Sequence, residues 1–286
     1  MAAGSFNCWR WPGVVFEFPP AFPYVAGILN VTPDSFSDGG AYASAGEAVA
    51  RALAMADEGA AIIDVGGQST RPSALPVSLA EEERRVLPVL TALREALGGS
   101  PVRISLDTDK PEMADKVLSL GLADILNDES GGDPDMARAA ASHNTPLVLM
   151  HRPEGDDRGS LAAVTEDLAA IRSRYIEAGL PGTFIALDPG LGFGKNEEEN
   201  LLILSDCRRL LELGGPVYIG ASRKRFIGKY GGNPEAGKRL GGSLAAAVWA
   251  ASCGASFVRV HDVKETVEAF AMTEALRSAF KNKSKM

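Results

Sequence analysis

The 286-residue sequence predicts an α/β fold, a single (β/α)₈ barrel of the TIM-barrel class built on parallel strands. Three observations predict it. Eight short apolar runs recur along the chain, amphipathic stretches separate most of them, and each run ends on or just before a polar residue. A crossover helix returns the chain to start the next strand in the same direction, which makes the pairing parallel. Eight strands favour closure into a barrel over the open doubly wound sheet that the same alternation permits.

The elements follow in order. YVAGILN from Tyr24 precedes the amphipathic stretch 45–58, AIIDV from Ala61 precedes 79–96, and VRISLD from Val102 precedes 110–120. ADILND from Ala123 is followed by PLVLMH from Pro146, and that strand by 161–178. TFIALD from Thr183 leads to 197–213, PVYIG from Pro216 to 243–252, and SFVRVH from Ser256 to 263–280. Residues 1–23 read as an extension leading into the barrel, 24–280 as the barrel, and 281–286, KNKSKM, as a basic tail. Residues 240–258 carry no charge and approach a membrane span in length, but Gly, Ser and Ala dominate and Cys253-Gly254 interrupts them. Helix, turn and strand is the better reading.

Composition narrows the function. With 45% hydrophobic and 23% charged residues the chain suits a globular core. A net charge of −8 and a pI near 5.1 argue against a nucleic-acid surface, which needs clustered Lys and Arg. Cys8, Cys207 and Cys253 form no C-x-x-C pair, a pattern that fits a reducing cytoplasm. The N-terminal residues lack the basic start and unbroken apolar stretch of a signal peptide.

Polar residues mark the rim. Asn30, Asp64, Asp107, Asn127, His151, Asp188, Ser222 and His261 fall at or beyond the ends of the predicted strands, and in a barrel those ends converge on the face that holds active sites. Arg259 and His261 are two apart on an extended strand and so share a face. With Ser222, Arg223 and Lys224 beyond the seventh strand they make a cationic corner of the kind that holds phosphate. Taken alone, Arg259 reads better as a structural ion pair and His261 as a satisfied core histidine. Asp64, Asp107 and Asp188 form a second group, suited to adjacent N–H donors on a planar ligand, although Asp107 and Asp188 also stand in good turn contexts. The glycine-containing loops DVGGQSTRP and LDPGLGFGK let backbone approach a ligand closely. No Walker motif or G-x-G-x-x-G fingerprint is present.

The ordered set GILNVTPDSFSDGG, IIDVGGQSTRP, LDT, ILND, LMH, LDPGLGFGK, GASRKRF, GGSLA and FVRVHD resembles the bacterial dihydropteroate synthase family over roughly residues 25–270. The first two motifs are highly specific. The resemblance implies condensation of 7,8-dihydropterin-6-ylmethyl pyrophosphate with p-aminobenzoate, with Mg²⁺ as cofactor, sulfonamides as competitors and a homodimer joined through the late helices. It places Asp107, Asn127, Asp188, Met150 and Lys224 on the pterin. It places Asn30, Arg259 and His261 on pyrophosphate and magnesium, with Asn30 as the metal ligand. Thr70, Arg71, Pro72, Phe193 and Ser222 fall on the p-aminobenzoate side, and Asp34, Phe36, Ser37 and Asp38 in a first mobile loop. Catalytic roles are implied for Asp34, Asp107, Lys224, Arg259 and His261.

Three residues depart from the family pattern. Gln68 stands where Glu is usual, Glu129 replaces a commonly apolar residue, and MHRPEG places Arg152 near the rim. Two rival readings are a pterin-dependent methyltransferase, opposed by the two loop motifs and GASRK, and a pterin-binding paralogue of weak activity.

Overall fold

The structure, a computed structural model, describes residues 8–32, 41–68, 77–153 and 159–283. An antiparallel hairpin, β1 (Cys8–Trp11) and β2 (Val14–Glu17), comes first. The barrel strands are β3 (Tyr24–Asn30), β4 (Ile62–Gly66), β5 (Arg103–Thr108), β6 (Ile125–Asp128), β7 (Leu147–Met150), β8 (Ile185–Asp188), β9 (Tyr218–Ile219) and β10 (Phe257–Val260). Between and after them run α1 (Ala41–Asp57), α2 (Leu79–Ala96), α3 (Pro111–Ser119), α4 (Pro134–Ser142), α5 (Leu161–Glu177), α6 (Glu197–Ser205), α7 (Arg225–Tyr230), α8 (Leu240–Ser252) and α9 (Val263–Lys283).

All pairings among the barrel strands are parallel, in the order β8-β7-β6-β5-β4-β3-β10-β9. The last gap is bridged between Leu187 and Val217, and Leu187 N–H donates to the Pro216 carbonyl at 2.8 Å. The ring therefore nearly closes on itself, as eight strands predict, and the open sheet is excluded. Residues 240–258 form α8, a turn with Gly254 at φ +90, and β10, and among the described residues no helix is long and apolar enough to cross a membrane.

Local signals set the helix ends. Ser78 and Ser160 accept hydrogen bonds from the first turns of α2 and α5, and Asn196 with Glu199 forms a capping box on α6. Proline opens α3 and α4, where its missing N–H costs nothing. The stretch expected as one helix over 197–213 divides at Asp206 into α6 and a 3₁₀ segment. The Trp249 indole of α8 donates to the carbonyls of Leu204 and Ser205 at that break, taking groups that a continuing helix would have used. Two short helices, α4 and α7, have no counterpart among the sequence-predicted stretches.

The core has two parts. Between the strands and the helices lies a large apolar layer that includes Leu29, Val65, Leu106, Leu126, Leu149 and Leu187. Inside the ring, Ala26, Ile62, Ile125, Val148, Ala186, Tyr218 and Phe257 join Trp9, Phe16 and Phe18 in a second cluster. The hairpin thus plugs the N-terminal mouth of the barrel. The Trp9 ring stacks on Phe257 with centroids 5.3 Å apart, and its indole N–H donates to the Thr183 carbonyl at 2.9 Å.

A plug that buries a whole indole makes a measurable prediction. Trp9→Ala is expected to cost about 3–5 kcal/mol in urea unfolding, since the cavity it leaves lies among packed aromatic rings. A loss below about 1 kcal/mol would show that the hairpin contributes little to closing the barrel.

Candidate active site

With the apolar layer below, the alternation of the strands lifts one side chain from each of five of them, four polar and one methionine, into the upper mouth. Asp64, Asp107, Asn127, Met150 and Asp188 all reach that interior and all are buried. Their outward neighbours go elsewhere. Asp128 accepts the Tyr175 hydroxyl from α5 at 2.6 Å, and His151 meets Asp167 of α5 at 3.1 Å. Burial holds Asp128 up at about 6 and raises the Tyr175 hydroxyl as well. His151 is therefore part of the wall between strand and helix, not of the mouth.

Arg259 of β10 crosses the mouth and organises it. Its Nε donates to Asp64 Oδ2 and its Nη2 to Asp107 Oδ2, both at 2.5 Å. Asn127 Nδ2 also reaches Asp64 Oδ2, at 3.2 Å. Gly66 makes room for this, because a Cβ there would stand 3.1 Å from the Asp107 carboxylate. The sequence suggested a carboxylate group and a separate cationic corner; the structure joins them through Arg259. It also gives Asp64 a second role that its place on β4 did not disclose.

Charge follows burial here. Removal from water pushes Asp107 well above the ordinary carboxylate range, helped by Glu129 beside it and opposed by Arg259. Asp188 is raised by burial too, against the pull of Lys224 and of the Gly190 N–H that it accepts at 2.7 Å. Burial lowers the Lys224 ammonium to about 8, while Asp188 works the other way.

The loop after β8 carries the next wall. Lys224 lies over the Phe193 ring, 4.5 Å from its centroid, and donates to the Leu191 carbonyl. Lys195 binds the carbonyls of Gly190 and Phe193, each at 3.0 Å, with His151 O at 3.5 Å. Gly190, at φ +64, would place a Cβ 1.9 Å from the His151 carbonyl, so this turn admits only glycine. Lys195 was not among the predicted site residues, although GFGK displayed it.

On the far side, Ser222 Oγ and His261 Nδ1 are 3.0 Å apart, and Arg223 pairs with Asp262. A cavity of about 620 Å³ opens beside this corner, lined by Asn30, Arg51, Arg223, His261 and Lys264 among others. Asp34 with Phe36, Ser37 and Asp38, and Thr70, Arg71 and Pro72, lie outside the described residues.

Two of the departures border one cluster. Gln68 Nε2 donates to Asp109 at 3.3 Å, and Lys110 Nζ donates to Gln68 Oε1 at 2.9 Å. Lys110 also pairs with the buried Glu82 at 2.8 Å, and Arg152 lies 3.9 Å from Asp109. An amide at position 68 can give a hydrogen bond to Asp109 and take one from Lys110; a carboxylate could only accept.

With this geometry in hand, comparison decides the family. The model of the pterin binding enzyme family matches residues 26–261. The dihydropteroate synthase of Escherichia coli K12 is 44% identical over 270 residues, covering 91% of this chain and 94% of that protein. The chain belongs to the dihydropteroate synthase family. Among solved members, the Xanthomonas albilineans enzyme with 4-aminobenzoic acid superposes with a TM-score of 0.87 at 39% identity, covering 95% of this chain and 98% of that one. The same enzyme in complex with 7,8-dihydropteroate gives 0.81 at 40% identity, with 90% and 94% covered. The Yersinia pestis synthase in a sulfonamide complex gives 0.85 at 38% identity, with 95% and 99% covered.

Arg259 holds two buried carboxylates, so its removal strands both. Arg259→Leu is expected to cost about 3–5 kcal/mol near neutral pH. Without the guanidinium the folded-state pKa of Asp107, already raised by burial, rises further. A carboxyl raised in the fold keeps its proton longer than in the unfolded chain, so stability falls as pH climbs above about 4. The penalty should therefore be larger at about pH 8 than at about pH 5. Urea unfolding at both values checks this, and equal penalties would contradict it.

Proposed function

We infer that the chain is a working dihydropteroate synthase, which joins dihydropterin pyrophosphate to p-aminobenzoate and releases pyrophosphate. The observation that supports this most is the row of buried carboxyl and amide groups, Asp64, Asp107, Asn127 and Asp188, set beside Arg259 and Lys224 in one mouth. A pterin ring presents adjacent N–H donors along its edge, and such a row can accept them without water. The barrel over 24–280 would carry the whole reaction.

The chemistry needs no covalent nucleophile. The C–O bond at the pterin methylene breaks and its electron pair leaves with pyrophosphate, which gives a cation spread over the electron-rich ring. The amine nitrogen of p-aminobenzoate then forms the C–N bond and sheds a proton. Asp107 and Asp188, buried and near the ring, would favour its cationic form. Arg259 uses Nε and Nη2 on its carboxylates, and its remaining N–H groups, with His261, would stabilise the charge on the departing pyrophosphate. Phe193 and Ser222, beside Lys224 and His261, would position the amine substrate.

Magnesium suits this site as a partner of the pyrophosphate. Among the described residues no three His, Cys, Asp or Glu side chains cluster to form a metal cage. Mg²⁺ commonly takes only one or two protein oxygens and fills its shell with water and substrate phosphates. The Asn30 amide oxygen, at the cavity beside His261, fits that pattern, and Mg²⁺ would there neutralise charge on the leaving group. Sulfonamide competition follows from the same amine site. A homodimer is supported by Leu202, Tyr230 and Trp249, apolar side chains exposed on α6, α7 and α8. The cysteine pattern supports a cytoplasmic setting.

A magnesium-containing assay that follows pyrophosphate and dihydropteroate together tests this reading, and equal yields of both are expected. Pterin binding without either product would instead favour a weak paralogue. Asp107→Asn should lower kcat about 100-fold or more, because its role grows as the cation forms. Wild-type turnover in that variant would remove Asp107 from the mechanism.

A further inference from the structure

The reaction as derived has no use for Glu129, yet its carboxyl is buried in the same mouth. Two steps along from Asn127, it points inward by the alternation that turns Asp128 outward. Its backbone is clamped on both sides. The Glu129 N–H donates to the Thr108 carbonyl at 3.2 Å, and its own carbonyl accepts Arg152 Nη1 at 3.2 Å. The residue is 3% exposed, and because Asp107 of β5 lies opposite Asn127 of β6, the inward carboxyl of Glu129 stands beside that of Asp107.

Two carboxyl groups can hydrogen-bond to each other only if one of them carries a proton. The charges around the pair make that proton stay. Asp64 of β4, Asp107 of β5 and Asp188 of β8 share the mouth with Glu129, against Arg259 of β10 and Lys224 before α7. Arg259 is already divided between Asp64 and Asp107. Arg152, the cation nearest along the neighbouring loop, turns to Asp109 and to the Glu129 carbonyl, not to its carboxylate. Burial accordingly holds Glu129 up at about 7, although Arg259 and Lys224 pull it down.

We propose that Glu129 is a positioning residue that keeps one proton shared with Asp107, so that binding of the pterin ring in this mouth is linked to a proton. The proposal rests on the functional reading above. A bound ring takes the remaining water away from the pair, and a second negative charge there becomes harder to hold. The ring-bound state therefore keeps its proton to higher pH than the empty one. Binding of an uncharged pterin above neutrality takes up a proton, and affinity falls as pH rises, by at most about tenfold per pH unit for one proton.

The test uses the full chain and 6-hydroxymethyl-7,8-dihydropterin, which lacks the titrating phosphates. Binding is measured by calorimetry between about pH 6 and about pH 8.5, in two buffers of different ionisation enthalpy, for the wild type, Glu129→Gln and Glu129→Val. Gln can donate a hydrogen bond to Asp107 but has no proton to release. Lys224 titrates in the same range and is itself held up by the Glu129 carboxyl, so Lys224→Met in the wild-type and Glu129→Gln backgrounds separates its share. The wild-type dissociation constant should rise about tenfold more than that of Glu129→Gln across this range, with more proton uptake than either variant shows. Equal pH slopes and equal proton uptake in wild type and Glu129→Gln would overturn the proposal alone. Failure of all three to bind the pterin would overturn it together with the assigned function.

Discussion

The upper mouth of this barrel depends on one guanidinium shared by two carboxylates. Arg259 comes from the last barrel strand, Asp64 from the second and Asp107 from the third, and the three meet inside a ring whose lower half is apolar. Burying ions this way is expensive, and well-packed apolar residues of similar volume would often serve stability as well or better. A polar layer kept in spite of that cost is a functional one. It also fixes register, because a slip of one residue in β4, β5 or β10 would turn these side chains into the apolar layer behind the sheet.

The rest of the rim is arranged around that layer. Below it, the hairpin plug and the inward Ile, Val, Phe and Tyr side chains give a rigid floor. Beside it, Lys195 gathers three carbonyls and holds the turn that presents Phe193, while Ser222 and His261 face each other across the last two strands. The outward residues at the same strand ends, Asp128 and His151, tie the strands to α5. One alternation thus supplies both the chemistry inside and the fastening outside.

Much of this was legible in the sequence, and the rest was not for definite reasons. The eight strands could be read because parallel strands covered on both faces are short apolar runs, and α2 was predicted at its observed limits. Helix α4 was missed because it is only nine residues long and its buried face is one methionine and three alanines, too small to stand out as an apolar stripe. The hairpin was missed because its aromatic residues read as an extension, although Pro12-Gly13 between Trp11 and Val14 is a turn signal. The meeting of Asp64 with Arg259 spans 195 positions and leaves no local trace. Glu129 is a different case, since its spacing of two from Asn127 already pointed it inward.

The most direct test of the account is Arg259→Lys, which keeps the charge and removes the fork. One ammonium can meet a carboxylate but cannot reproduce two directed bonds to Asp64 and Asp107. If the shared guanidinium sets the geometry of the site, the variant should fold yet lose about 100-fold or more in kcat/KM for dihydropteroate formation. Activity within about threefold of wild type would show that only a positive charge is needed there, and would contradict the account.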